Sequence, residues 1–203
     1  MGQLDPVAVR KTWIFLGAIA AAELAWLLLQ PGPFVRAMTL RADQIPAIAW
    51  VAAALVAAVT IVYSIRALDL AQYLTNVSTF RLLGLLIAVP SAIVEEAVFR
   101  GTAMTLLARA GQGDLIQVIV SAGLFGLAHS IWGLRGGRRA FLSAVTATSI
   151  LGVMFAIVYL LSARALLPCI VAHFVINVVL EPWLGYAYAL RAQGASVNRS
   201  TAA

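Results

Sequence analysis

Apolar residues gather along this chain in six stretches, each close to the length of about 20 residues that crosses a bilayer core of about 30 Å. Trp13–Leu29 is the first. Gln30-Pro31-Gly32-Pro33 ends it, because two prolines and a glycine do not continue a helix. After a polar loop, Arg36–Gln44, the second stretch runs from Pro46 to about Ile65 and is rich in Ala and Val. Arg66–Arg81 mixes Asp69, Gln72, Asn76 and Ser78 into the pattern and is expected at the membrane interface. The third stretch, Leu82 to about Leu107, carries Pro90 as a predicted kink. Gly111-Gln112-Gly113-Asp114 turns the chain into the fourth, Leu115 to about Trp132. A loop of Gly and Arg, Gly133–Arg139, leads into the fifth, Ala140 to about Leu161. Ser162-Ala163-Arg164 is a very short turn into the sixth, Ala165 to about Ala189. The tail after Arg191 is small and polar and is expected to lack fixed structure. Lipid cannot satisfy backbone N–H and C=O groups, so such runs predict helices. The expectation is an all-α, polytopic membrane bundle of about six transmembrane helices, one domain over residues 1–203, without internal repeat.

Composition agrees with this pattern. Charged residues make up 11% of the chain, against about 25% in soluble domains, and the mean hydropathy is +0.96. The first stretch follows charged residues, has no small-residue cleavage site and is succeeded by further spans, so it reads as a retained anchor. The single cysteine, Cys169, excludes an internal disulfide and a cysteine-only metal site. The net charge of +6 is explained by arginines anchoring loops at the membrane surface, and no nucleic-acid partner is expected. With the amino terminus in the cytoplasm, the inner side holds Arg10, Lys11, Arg66, Arg81, Arg135, Arg138, Arg139, Arg191 and Arg199. The outer side then holds Arg36, Arg41, Arg109 and Arg164, so both termini are expected to be cytoplasmic. The Ala- and Arg-rich composition suits a bacterial inner membrane.

The third stretch contains the residues that need a reason to be there. Glu95, Glu96 and Arg100 lie inside an otherwise apolar run, where each charge costs about 2.5–3.5 kcal/mol on insertion scales. Glu96 and Arg100 are i, i+4 and can pair, whereas Glu95 points about 100° away and has no partner within its helix. The other ionisable groups of the later spans are His129, His173 and, near the end of the last one, Glu181, and in a bilayer such groups should face one another across the bundle interior. His173 and Asn177 share a helical face, as do Phe125 and His129. A carboxylate beside an imidazole can take a proton from water. A second imidazole with a carboxamide can donate to a developing oxyanion. The set is hydrolytic in character, or a zinc-like set of one Glu and two His. His-Glu-x-x-His and Gly-x-Ser-x-Gly are both absent from the sequence. Cys169 is on the His173 face, but a buried cysteine ordinarily acts as a small hydrophobe. Glu181, just before Pro182-Trp183, reads as an interfacial carboxylate, and Trp132, Trp183, Tyr186 and Tyr188 as interfacial anchors.

Three segments resemble the motifs of the CPBP intramembrane proteases, which include the type II CAAX prenyl endopeptidases and the bacteriocin-processing or self-immunity (Abi) proteins. They are Glu95-Glu96-Ala97-Val98-Phe99-Arg100, then Phe125-Gly126-Leu127-Ala128-His129, then His173-Phe174-Val175-Ile176-Asn177. The resemblance covers about Leu82 to Val179. It leaves residues 1–81 as two variable spans, with a core over 82–189 and a tail over 190–203. It implies a glutamate-type protease in which Glu95 and His129 activate water, and His173 and Asn177 form an oxyanion hole. Glu96, Arg100 and Phe125 then support the site or the substrate. No cofactor is implied as required; if zinc takes part, Glu95, His129 and His173 are its ligands. The partner implied is a peptide or protein at the membrane, with the oligomeric state left open.

Two other classes compete with the endopeptidase reading: a silent scaffold or immunity protein of the same fold, and a proton- or cation-coupled carrier using Glu95 and Glu96. The complete motif set argues against the scaffold, and the lack of two related halves with paired broken helices argues against the carrier. Depth poses a further problem. His129 is near the end of its span, whereas His173 is about nine residues, or about 13 Å, past the opposite turn. For the two to meet, helices must tilt strongly, or the Ser162–Arg164 turn or the Gly133–Arg139 loop must be recessed in a water-filled cavity.

Overall fold

The computed structural model describes residues 6–29, 44–67, 70–71, 74, 79–132, 137–180 and 183. These form six helices in chain order: α1 (Pro6–Leu29), α2 (Ala47–Ala67), α3 (Thr79–Glu96, continued through Ala97–Met104 to Thr105–Arg109), α4 (Asp114–His129), α5 (Gly137–Leu161) and α6 (Leu167–Leu180). No strand occurs among the described residues, so the all-α expectation holds. The Gln30–Pro33 stop, the Arg36–Asp43 loop, most of the Ala67–Ser78 stretch, Glu181 and the carboxyl-terminal tail lie outside the described residues. Gly137, Arg138 and Arg139, expected in a loop, instead form the first turn of α5.

Among the described residues two helices, Ala47–Ala67 and Phe141–Leu161, are long and apolar enough by themselves to cross a membrane. Two of the other expected spans, α4 and α3, differ from these for physical reasons. α4 has 16 residues, so at 1.5 Å per residue it is about 24 Å long, against a core of about 30 Å. The first part of α3 contains Arg81, Glu95 and Glu96. Outward faces are nevertheless apolar on these helices too: Leu115, Ile119 and Leu127 on α4 and Leu86 on α3 are all more than half exposed. That is a surface suited to lipid and unsuited to water.

The core lies between α2, the middle of α3, α5 and α6, where Ala53, Val56, Met104, Phe155, Val158, Cys169 and Ile176 are buried together. α4 turns Gln117, Ser121, Ala122, Phe125 and Gly126 inward, a helical stripe on which His129 is the next member. It can approach α5 closely because of two glycines. A Cβ on Gly152 would come within 2.9 Å of the Ala122 Cα, and one on Gly126 would collide with Ser149 Oγ and lie 2.8 Å from the Val145 carbonyl. Small residues at such crossings let helices pack without a solvent-driven hydrophobic force. Gly126→Ala is therefore expected to destabilise the protein by about 1–3 kcal/mol, the usual cost of overpacking. Thermal unfolding in detergent reads this directly, and a melting temperature equal to wild type would show that the α4–α5 crossing relaxes freely.

The Ser162–Arg164 turn is tight, as expected. Ala163 and Arg164 both take left-handed backbone, with φ of 54° and 66°. Ser162 is buried and donates from Oγ to the Tyr159 carbonyl at 2.8 Å. Arg164 donates from Nη2 to Asp114 Oδ1 at 3.0 Å and to Gln117 Oε1 at 2.9 Å. The turn is thus level with the first turn of α4. From Gln117 to His129 is about 18 Å along one helix, and from Arg164 to His173 about 13 Å along the other. The two histidines end within about one helical turn of each other in depth, because α4 is short and the turn lies beside its beginning.

Candidate active site

Glu95 and Glu96 are the last two residues of the α-helical part of α3, and the chain then continues as a π-helix over Ala97–Met104. Such segments are uncommon and tend to occur where side chains must be re-aimed. Two hydroxyls serve carbonyls of this segment: Thr102 Oγ1 donates to Ala97 O at 3.0 Å, and Ser121 Oγ, from α4, donates to Phe99 O at 2.9 Å.

Arg100 lies within the π-helix and is fully buried. Its Nη1 donates to Glu96 Oε1 at 2.9 Å and its Nη2 to the Gly152 carbonyl at 3.1 Å. The guanidinium carbon lies 4.5 Å from the Phe125 ring centroid and 5.3 Å from that of Phe155, within cation–π range of both. Glu96, also fully buried, accepts a second bond through the same Oε1, from His173 Nδ1 at 2.8 Å. The expected i, i+4 pair of Glu96 and Arg100 is therefore present, and it also ties α3 to α5 and α6.

The two imidazoles are constrained alike. His129 Nδ1 is 2.9 Å from the Phe125 carbonyl. A carbonyl only accepts, so Nδ1 carries the proton and Nε2 of the neutral ring holds a lone pair. His173 Nδ1 faces a carboxylate that Arg100 already holds, so it donates as well. Both Nε2 atoms then face Glu95: its Oε2 is 3.4 Å from His129 Nε2 and 3.7 Å from His173 Nε2. These contacts are longer than a formed N–H···O bond, and Glu95 Oε2 is buried without a hydrogen-bond partner. Glu95 and His129 keep about one fifth of their side-chain surface exposed, while that of His173 is only 4% exposed.

Phe125 packs against both histidines, with ring centroids 4.3 Å from His129 and 5.9 Å from His173. Phe155, stacked on His173 at 5.2 Å, braces the other side of that ring. Asn177 is half-buried on α6, four residues past His173, with no side-chain hydrogen bond among the described residues. Cys169 is fully buried and donates from Sγ to Phe155 O at 3.4 Å, which makes it a packing residue in the core. Among the described residues no group of three or more His, Cys, Asp and Glu side chains is placed to hold a metal ion.

Glu96, Arg100, Phe125, His129 and His173 thus surround Glu95. A further residue, not singled out from the sequence, is tied to α3 one turn from Glu95. Glu23, on α1, accepts from Ser91 Oγ through both carboxylate oxygens at 3.0 Å, and Ser91 is one turn before Glu95 on α3. The signal is present in the sequence: one carboxylate near the middle of an otherwise apolar stretch, an expensive placement that calls for a partner or a role.

Comparison with known families gives a match. The sequence model of the family described as type II CAAX prenyl endopeptidase, Rce1-like, matches residues 77–179, half of the chain. The matched segment contains Glu95, Glu96, Arg100, Phe125, His129, His173 and Asn177, and leaves out Glu23. No curated protein and no solved structure matches the chain.

Proposed function

The chain belongs to the Rce1-like family of type II CAAX prenyl endopeptidases, and from that premise we propose that it is an intramembrane endopeptidase in which Glu95 activates the attacking water. The family makes it a membrane protein and a protease. We place all six helices in the bilayer, with the core over residues 82–189 and two variable spans before it. Both termini are cytoplasmic, and the membrane is a bacterial inner membrane. The substrate is a peptide segment of a membrane-associated protein.

One observation carries the mechanism: the Nε2 atoms of two histidines converge on Glu95 Oε2, while each ring's Nδ1 is engaged elsewhere. A water between Glu95 and His129 gives up a proton to this pair, and its oxygen attacks the peptide carbonyl carbon. The carbonyl oxygen becomes an oxyanion, which accepts from the Asn177 carboxamide and from His173 Nε2–H. Since His173 Nδ1–H is spent on Glu96, donation from Nε2 requires the doubly protonated ring, and the Glu96 carboxylate is positioned to support it. Collapse of the intermediate breaks the C–N bond, and the leaving amine takes the proton held by Glu95 and His129. Arg100 holds Glu96 in place, so Glu96 and Arg100 act through His173 as positioning residues.

Cleavage of internally quenched peptides by the purified protein in detergent, with and without a zinc chelator, tests this. Turnover is expected to survive chelation. Loss on chelation with recovery on added zinc would overturn the metal-free mechanism and make Glu95, His129 and His173 ligands. A protein that binds peptides without ever cutting them would be a scaffold or immunity factor of the same fold.

A further inference from the structure

The residues assigned to the chemistry all lie within the segment that matches the family, whereas Glu23 lies outside it, on a helix that the match does not cover. Its carboxylate is anchored to α3 by Ser91 Oγ, with both oxygens at 3.0 Å. Ser91 and Glu95 are i, i+4, so they share a face and are about 6 Å apart along the helix.

One serine hydroxyl does not satisfy a carboxylate, which has about four acceptor positions. Among the described residues Glu23 forms no ion pair. The guanidinium nearest the site belongs to Arg100, which is fully buried and committed to Glu96 and to the Gly152 carbonyl. A peptide that comes past the partly exposed Glu95 and His129 therefore meets two carboxylates, Glu95 itself and Glu23. An extended peptide advances about 3.3 Å per residue. The Glu23 carboxylate is accordingly about two residues from the carbonyl that Glu95 serves.

Resting on the protease reading above, we propose that Glu23 is a specificity-determining residue: it selects peptides with a Lys or Arg side chain about two residues from the scissile bond. It also disfavours a free carboxyl terminus at the same distance. Opposite charges gain and like charges lose at this separation, and in the reduced dielectric near a protein the discrimination is on the order of tenfold in kcat/KM.

The test uses the full-length protein in detergent and internally quenched peptides of one sequence, with Lys, Gln or Glu at each of the three positions on either side of the scissile bond. A second pair carries a free or an amidated carboxyl terminus. Wild type is expected to favour Lys over Glu about tenfold or more at one position, and the amidated over the free terminus. In Glu23→Gln the Lys-to-Glu ratio should fall towards one, and in Glu23→Lys it should invert. Because the ratio is taken within each variant, a smaller folded fraction does not alter it. Ser91→Ala, which removes the tether and keeps the charge, should retain a preference for Lys. A wild-type ratio near one, or a ratio unchanged in Glu23→Gln and Glu23→Lys, would overturn the proposal and leave Glu23 as a tether for α1. Cleavage that persists in Glu95→Gln would instead overturn the mechanism on which it rests.

Discussion

Glu95→Gln is expected to lower peptide cleavage by about 10³–10⁴-fold while leaving the protein folded. The substitution keeps the shape of the side chain and removes the group that takes the proton from water. General-base catalysis alone is worth about 10²–10⁴-fold. The larger end is expected here because the amide also cannot stabilise the charge that develops on the two neighbouring imidazoles. The fold should tolerate the change because Glu95 Oε2 has no hydrogen-bond partner within the protein, so no buried donor loses its acceptor. The loss should fall on kcat, with KM nearly unchanged, since Glu95 acts on the transition state more than on the bound peptide. His129→Ala should behave similarly, its Nδ1 being used only to hold the ring against the Phe125 carbonyl. Steady-state kinetics beside a melting curve for each variant makes the check. Equal turnover by wild type and Glu95→Gln would remove Glu95 from the mechanism.

Much of this site can be read from the sequence because charge in an apolar stretch is costly. Glu95, Glu96, Arg100, His129 and His173 stand out for that reason, and i, i+4 spacing alone identifies the Glu96–Arg100 pair. Which carboxylate meets which histidine cannot be read. Spacing along one helix says nothing about the neighbour across the bundle, and only the fold shows that His173 gives Nδ1 to Glu96 and turns Nε2 towards Glu95. The mismatch in depth has the same origin: it follows from uniform spans, whereas α4 is short and Arg164 fastens the α5–α6 turn beside its start. Equal apolar runs also conceal unequal helices, since hydropathy does not report where a helix ends. The glycines that decide the α4–α5 distance, Gly126 and Gly152, carry no signature until a partner helix is known. Glu23 is legible by the same cost argument as Glu95. It escapes notice because its partner, Ser91, is 68 residues away in the chain and no motif includes it.

Arg100→Ala should have the largest effect on stability of any single change at the site, about 3–5 kcal/mol, the usual result of removing one partner from a buried ion pair. Both side chains of the pair have no exposed surface, so water cannot replace the guanidinium. Glu96 would keep His173 Nδ1 as its one donor, with Oε2 already unpartnered, and the Gly152 carbonyl would lose its donor as well. The cavity between Phe125 and Phe155 adds to the loss, because both rings now pack against the guanidinium. Arg100→Lys should recover only part of it, since one ammonium cannot serve Glu96, Gly152 and two aromatic faces in the planar geometry that a guanidinium provides. The charge itself can be separated from the packing with a second substitution. Arg100→Met combined with Glu96→Gln removes both charges and refills the volume, and it should be clearly more stable than Arg100→Met alone. Activity should not return in that double variant, because a neutral amide in place of the Glu96 carboxylate cannot support a doubly protonated His173. Denaturation in detergent, followed for the two single variants and the pair, measures the coupling. Additive effects would mean that the ion pair holds neither the helices nor His173 in place, and that the aromatic contacts of Arg100 carry the stability instead.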